Sequence, residues 1–141
     1  MSVLVFDSSA ALKWYLPETY ADKAKQIRAD YRKAILDLIA PDIFPVETLH
    51  ALTKAERQKR ITLGTAYPIW QSMMVDSPVL LPYLPLLDRA YEIASAARIR
   101  IYDCIYVALA ERENCELATA DDRILKNLQA AFPFIRHLSS F

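Results

Sequence analysis

Short apolar runs alternate with longer stretches of helical periodicity from one end of the chain to the other. Val3–Phe6 is a continuous apolar run, the pattern of a strand covered on both faces. Ser8–Leu16 has helical character and is stopped by Pro17. Ala21–Lys33 predicts a charged helix with Ala24, Ile27 and Tyr31 on one side. Ala34–Ala40 holds a second strand, closed by Pro41. Pro45 suits a first helical turn, and the helix it opens runs from Val46 to about Arg60 with Leu49, Leu52 and Ala55 as its inner stripe. Thr62–Val75 is helical but contains Pro68, so it kinks or begins there. Val79–Tyr83 is a short strand whose Pro82 suits an edge. Leu84–Arg98 is an amphipathic helix through Leu87, Ala90, Tyr91 and Ala94. Asp103–Glu113 is apolar nearly all round, as a helix buried in the middle of a domain would be. Glu116–Thr119, Asp122–Ala131 and Phe134–Leu138 complete the chain as strand, helix and strand.

Strand and helix in alternation define an α/β fold with a mostly parallel central sheet flanked by helices on both faces. The 141 residues are read as one domain, 1–141, with no repeat, linker or low-complexity segment. The single glycine, Gly64, excludes a glycine-rich phosphate loop of either common type.

Composition narrows the class. At 54% hydrophobic and 24% charged the chain lies in the globular range. No apolar run reaches the roughly 18 residues of a membrane span, and Asp7 interrupts the N-terminal apolar stretch where a signal peptide would continue. The expectation is a soluble, cytoplasmic protein without membrane contact. Cys104 and Cys115 form no disulfide framework, and His50 and His137 are not spaced with them as a zinc motif requires. Seventeen basic and seventeen acidic residues balance, which argues against a general nucleic-acid coating protein but not against local grip on one.

Four acids fall where chemistry collects in such folds. Asp7, Glu47, Asp103 and Asp121 each close or follow an apolar run just before a helical segment. Singly, each is as good a helix cap as a catalytic group. Together, at strand C-terminal ends that share one edge of an open sheet, they form a cluster that would repel itself without a cation. Oxygen ligands select a hard ion, Mg²⁺ or Mn²⁺. Asp122 stands beside Asp121 as the expected N-cap, and Glu18 has a minor claim to the site through its nearness to Asp7.

At these residues the chain resembles the PIN-domain family, in particular the VapC-like toxins of type II toxin–antitoxin systems. The resemblance rests on Val5-Phe6-Asp7-Ser8-Ser9-Ala10, on Pro41 through Glu47 to Leu52, on Tyr102-Asp103-Cys104-Ile105-Tyr106-Val107-Ala108-Leu109-Ala110-Glu111, and on Ala118-Thr119-Ala120-Asp121. It spans nearly the whole chain. It implies a three-layer sandwich, Mg²⁺- or Mn²⁺-dependent endoribonuclease activity, and restraint by a cognate antitoxin. Asp7, Glu47, Asp103 and Asp121 match the family's acidic quartet, and Ser9 and Thr119 match polar positions that support it. One glycine common in the family is absent, with Asn114-Cys115 in its place; Asn tolerates the left-handed conformation that ends a helix.

In this reading the quartet holds the ion, and a basic rim grips RNA phosphates. Lys54, Arg57 and Arg123 are its chief candidates, with Lys13, Arg60, Arg98, Arg100 and Lys126 beside them. Tyr102 and Tyr106 could stack on a base or lie in the core. Trp14, Tyr15, Trp70, Met73 and Met74 suggest more apolar surface than one small domain hides, for a second copy or an antitoxin helix, although core packing is the commoner role for most of them. The alternatives are an RNA-processing nuclease with no toxin role and a silent PIN scaffold. A response-regulator-like module lacks the paired acid and late lysine that it needs.

Overall fold

The structure is a computed structural model and describes residues 2–141. Its elements, in chain order, are β1 (Ser2–Phe6), α1 (Ser8–Leu12), α2 (Ala21–Arg32), β2 (Leu36–Pro41), α3 (Phe44–Arg57), α4 (Ala66–Val75), β3 (Val79–Leu81), α5 (Leu87–Ala97), α6 (Ile101–Glu113), β4 (Glu116–Thr119), α7 (Asp122–Leu128) and β5 (Ile135–His137). The strands form one sheet in the order β3-β2-β1-β4-β5, parallel at every pairing. Successive strand residues point to opposite faces, and Leu4, Val5 and Phe6 are all buried. Both faces of β1 are therefore covered, which is why its sequence is continuously apolar rather than alternating. The expected α/β architecture is present, and β1 is the central strand.

The chain leaves β1 for β2 and β3 on one side, then returns to β4 and β5 on the other. That reversal puts the C-terminal ends of β1 and β4 side by side, with the Asp7 N–H donating to the Ala118 carbonyl at 3.2 Å. Open α/β sheets bind ligands at such switch points. The helix α6 packs over β1, β2 and β4, and its run from Cys104 to Ala110 is entirely buried.

Local chemistry explains the boundaries. Pro45 and Pro68 sit in the first turns of α3 and α4, where a missing N–H costs nothing. The Asn114 residue ends α6 at φ 51°, ψ 51°, the left-handed conformation that asparagine tolerates better than most residues. The structure refines these expectations. The first helix stops at Leu12, short of Leu16. On α5, Tyr91 is 66% exposed and the inner stripe runs instead through Leu86, Ala90 and Ile93. Trp14 and Met73 are core side chains, the commoner role for such residues; Trp14 stacks on Phe6 at 5.4 Å and donates to the Ala24 carbonyl.

Candidate active site

Asp7, Glu47, Asp103 and Asp121 line one pocket at the C-terminal edge of the sheet, together with Ser8, Ser9, Arg100 and Tyr106. They arrive by different routes. Asp7 and Asp121 follow β1 and β4 directly enough to cap α1 and α7. Glu47 lies in the first turn of α3, just past β2. Asp103 does not follow a strand. It sits in the first turn of α6, which Arg98-Ile99-Arg100 joins to α5. The expected strand-to-helix junction is a helix-to-helix corner there, because Ile99–Tyr102 is apolar without being a strand.

Hydroxyls fix the floor of the pocket. Asp7 Oδ1 accepts from Ser9 Oγ at 2.7 Å and from the Ala10 N–H at 2.9 Å. Ser9 Oγ in turn accepts from the Ala120 N–H at 3.0 Å and lies 3.3 Å from Thr119 Oγ1. Thr119 Oγ1 accepts from the Asp121 N–H at 3.0 Å. Ser9 and Thr119 thus tie the end of β1 to the end of β4. The expected division of labour between the adjacent aspartates is reversed in one respect. Asp121 is itself the cap, accepting from the Arg123 N–H at 2.9 Å, whereas Asp122 is 95% exposed. Asp122 and Glu18 are not among the described residues that line the pocket; Glu18 pairs with Lys13 and Arg60 instead.

The sequence motifs suggest acids with no fixed basic partner, and the structure corrects this. Arg100 Nη2 stands 3.3 Å from Asp103 Oδ1, and Arg123 Nη2 stands 3.0 Å from Asp121 Oδ2. Tyr106, buried in α6, donates to Glu47 Oε1 at 2.7 Å. That bond was signalled only indirectly, since Asp103 and Tyr106 are three apart and so share a helix face. Lys54 and Arg57 are exposed in the last turn of α3, about 10–15 Å along the helix from Glu47 at 1.5 Å per residue.

The electrostatics are those of an anionic pocket short of positive charge. Burial lifts the Asp7 carboxyl to about 6, against the nearby Thr119 hydroxyl and the hydrogen bonds from the Ser9 hydroxyl and the Ala10 N–H, which pull it down. Burial also lifts Glu47 to about 7, with Tyr106 opposing and the charges of Asp7 and Asp103 adding to the rise. Asp103 is raised by burial too, partly offset by Arg100. Burial would raise Asp121 as well, but the bonds from Arg123 together outweigh it and hold the carboxyl below its usual range. Among the described residues no three Asp, Glu, His or Cys side chains are grouped ready to hold an ion. The donor set nonetheless fits a hard divalent cation: it is all oxygen, anionic, and its buried members are costly to ionise without one.

A parallel sheet with this order and an acidic pocket at its central edge defines a class of fold, and comparison with known proteins gives it a family. The PIN domain family model matches residues 4–130, and the chain belongs to that family. It is 33% identical over 131 residues to Ribonuclease VapC9 of Mycobacterium tuberculosis, covering 93% of this chain and 95% of the relative. Ribonuclease VapC3 of Pyrobaculum aerophilum is 27% identical over 130 residues, covering 90% and 95%. The crystal structure of PAE2754 from Pyrobaculum aerophilum matches with a TM-score of 0.70 at 23% identity, over 99% of this chain and 94% of that one, a likeness of fold.

Proposed function

We propose that this chain, residues 1–141, is one PIN nuclease domain: a metal-dependent endoribonuclease and the toxin of a type II toxin–antitoxin pair. The observation that carries the reading is the meeting of Asp7, Glu47, Asp103 and Asp121, from four separate segments, in one pocket at the sheet edge. The length-wide likeness to the VapC ribonucleases supports the substrate and the toxin role.

Asp7, Glu47, Asp103 and Asp121 would hold Mg²⁺ or Mn²⁺ through their carboxylate oxygens. When bound, such an ion neutralises charge on the scissile phosphate and acidifies the attacking water. The chain's own residues supply the rest. Ser9 and the Ala10 N–H fix the Asp7 carboxylate and favour its anionic form, and Thr119 anchors the Asp121 backbone. The Tyr106 hydroxyl orients Glu47. Arg123 stands at the rim, and Lys54 and Arg57 extend positive charge along α3, where RNA phosphates pass. The site of action is the cytoplasm, and among the described residues no helix is long and apolar enough to cross a membrane.

Two protein partners follow from the same reading. A cognate antitoxin restrains the nuclease. A second copy of the chain is supported by exposed apolar side chains around α4 and the edge strand β3, among them Tyr67, Val75, Val79 and Leu84; a monomer mass by light scattering would remove it. The activity is tested by incubating structured and unstructured RNAs with purified protein in Mg²⁺, Mn²⁺ or EDTA. Cleavage requires the metal and is lost in folded Asp7→Asn and Asp103→Asn proteins. Cleavage retained by either pure variant contradicts the assignment.

A further inference from the structure

Three recesses meet at the carboxylate pocket, and their linings differ. The pocket itself is small, about 180 Å³, below the roughly 300–1,000 Å³ of clefts that hold small organic ligands. It has room for an ion and its waters and not for a nucleotide. On one side lies a cleft of about 540 Å³ lined by Arg98, Ile99, Arg100, Asp103, Arg123 and Asn127. On the other lies a cleft of about 320 Å³ lined by Val46, Glu47, His50, Arg100 and Tyr102. Arg100 borders all three, Asp103 joins the first cleft to the pocket, and Glu47 joins the pocket to the second. Shared lining residues make the three recesses neighbours around the acids, a groove with two outer clefts.

Its two ends suit different parts of a nucleotide. The first cleft gathers three guanidinium groups. Arg100 and Arg123 are committed to Asp103 and Asp121, but Arg98 makes no ion pair among the described residues. Arg98 ends α5 in the left-handed conformation at φ 56°, ψ 46°, and its exposed guanidinium is left open to a ligand. Guanidinium donors in a fork match phosphate oxygens. The second cleft has no such gathering. Tyr102 is 52% exposed although the same helix buries Cys104 through Ala110, and Val46, which lines the same cleft, is 66% exposed. An aromatic face open to solvent at the edge of a nuclease pocket is a stacking platform for an unpaired base.

Resting on the ribonuclease reading, we infer that a single RNA strand lies along this groove with opposite ends held by different chemistry. Arg98 takes a backbone phosphate on one side of the scissile bond, and Tyr102 stacks on a base on the other. The strand is unpaired there, because a base in a duplex cannot offer its face to Tyr102. Tyr102 therefore requires a base of any kind beside the cut, and Arg98 binds the backbone without regard to sequence.

The test uses the full chain and a short single-stranded RNA that the wild-type protein cleaves, with a parallel set carrying one abasic nucleotide at each position in turn. Binding is measured by fluorescence anisotropy in the inactive Asp7→Asn background, alone or combined with Tyr102→Leu or with Arg98→Asn, which tolerates the left-handed backbone. Circular dichroism melts check that each variant is folded. The Tyr102→Leu change weakens the intact RNA roughly tenfold and removes the penalty for an abasic site at one position next to the cut. It leaves the salt dependence unchanged. Arg98→Asn lowers the slope of log K against log salt by about 0.7 and leaves the abasic penalties as they were. If the wild-type protein cleaves RNA and both folded variants bind like their parent, the groove assignment is overturned and the nuclease reading stands. Failure of the wild-type protein to cleave or bind any RNA overturns both.

Discussion

The Tyr106 hydroxyl of α6 donates to Glu47 Oε1 of α3 at 2.7 Å, across a sequence separation of 59 residues. The bond links the helix that carries Asp103 to the helix that carries Glu47, so it sets the spacing of two of the four acids. It also favours the ionised form of Glu47 against the burial that raises it to about 7. Removing it by Tyr106→Phe keeps the packing of the ring. The expected loss of stability is about 1 kcal/mol, the worth of one hydrogen bond. Loss of a partner that orients a ligand costs 10- to 100-fold in metal affinity elsewhere, so the Mn²⁺ concentration for half-maximal cleavage should rise by roughly tenfold. A Mn²⁺ titration of the pure variant that matches the wild type would show that Tyr106 is only a core residue.

The buried Asp7 carboxyl gives the metal-free protein an inverted dependence on pH. Its folded value of about 6 lies above the ordinary 3.8. Between those values the folded chain holds a proton that the unfolded chain has already released. Stability is therefore highest below pH 4 as far as this group is concerned, and it declines as pH rises through about 6. The shift corresponds to about 3 kcal/mol, and Glu47 carries the decline on towards pH 7 in the same direction. Urea melts in EDTA at pH 4.5 and pH 8 should show the wild type weaker at the higher pH and Asp7→Asn much less so. Added Mn²⁺ should restore the wild type at pH 8 and leave the variant unaffected. A wild type that is no weaker at pH 8 than at pH 4.5 would contradict the burial argument.

Arg123 has two opposed roles. It holds Asp121 through contacts at 3.0 and 3.3 Å, and it places positive charge beside a carboxylate of the pocket. Arg123→Gln therefore frees Asp121 and removes a repulsion. The variant should bind Mn²⁺ in the absence of RNA several-fold more tightly, the effect of one partly screened charge. It should bind RNA more weakly, with a smaller salt slope. Calorimetry with Mn²⁺ and anisotropy with RNA read the two effects separately. Parallel losses in both would mean that Arg123 merely shapes the rim.

The five strands and the positions of Asp7 and Asp121 are legible in the sequence because strands buried on both faces are continuously apolar, and Val3–Phe6 and Leu117–Thr119 are nearly so; the order of the strands is not. The corner at Asp103 is not, since Ile99–Tyr102 has the composition of a strand. What separates the two is a backbone fact, the left-handed Arg98 followed by an extended Arg100 that starts α6. The choice of cap between Asp121 and Asp122 likewise turns on one residue's backbone, φ −90°, ψ 110° at Asp121. Tyr106 and Glu47 meet only through tertiary packing, which no local pattern encodes. Glu56 is another such case. Glu56 Oε2 accepts from the Gly64 and Ala66 N–H groups at 3.0 and 2.8 Å, capping α4 from ten residues away.

The end of α6 offers a test of fold without chemistry. Asn114 adopts φ 51°, and the Cys115 N–H closes the helix on the Ala110 carbonyl at 3.1 Å. Alanine in that conformation brings Cβ against the following carbonyl oxygen, at a cost of about 1–2 kcal/mol relative to residues that tolerate it. Glycine meets no such clash, although its greater freedom in the unfolded chain offsets part of the gain. Asn114→Ala should therefore lower stability by about 1 kcal/mol, and Asn114→Gly should change it by less. Cleavage should be unchanged in both, because Asn114 lies at the opposite end of α6 from Asp103. Denaturant melts rank the three proteins. An alanine variant as stable as the wild type would mean that the α6–β4 turn does not depend on the left-handed residue.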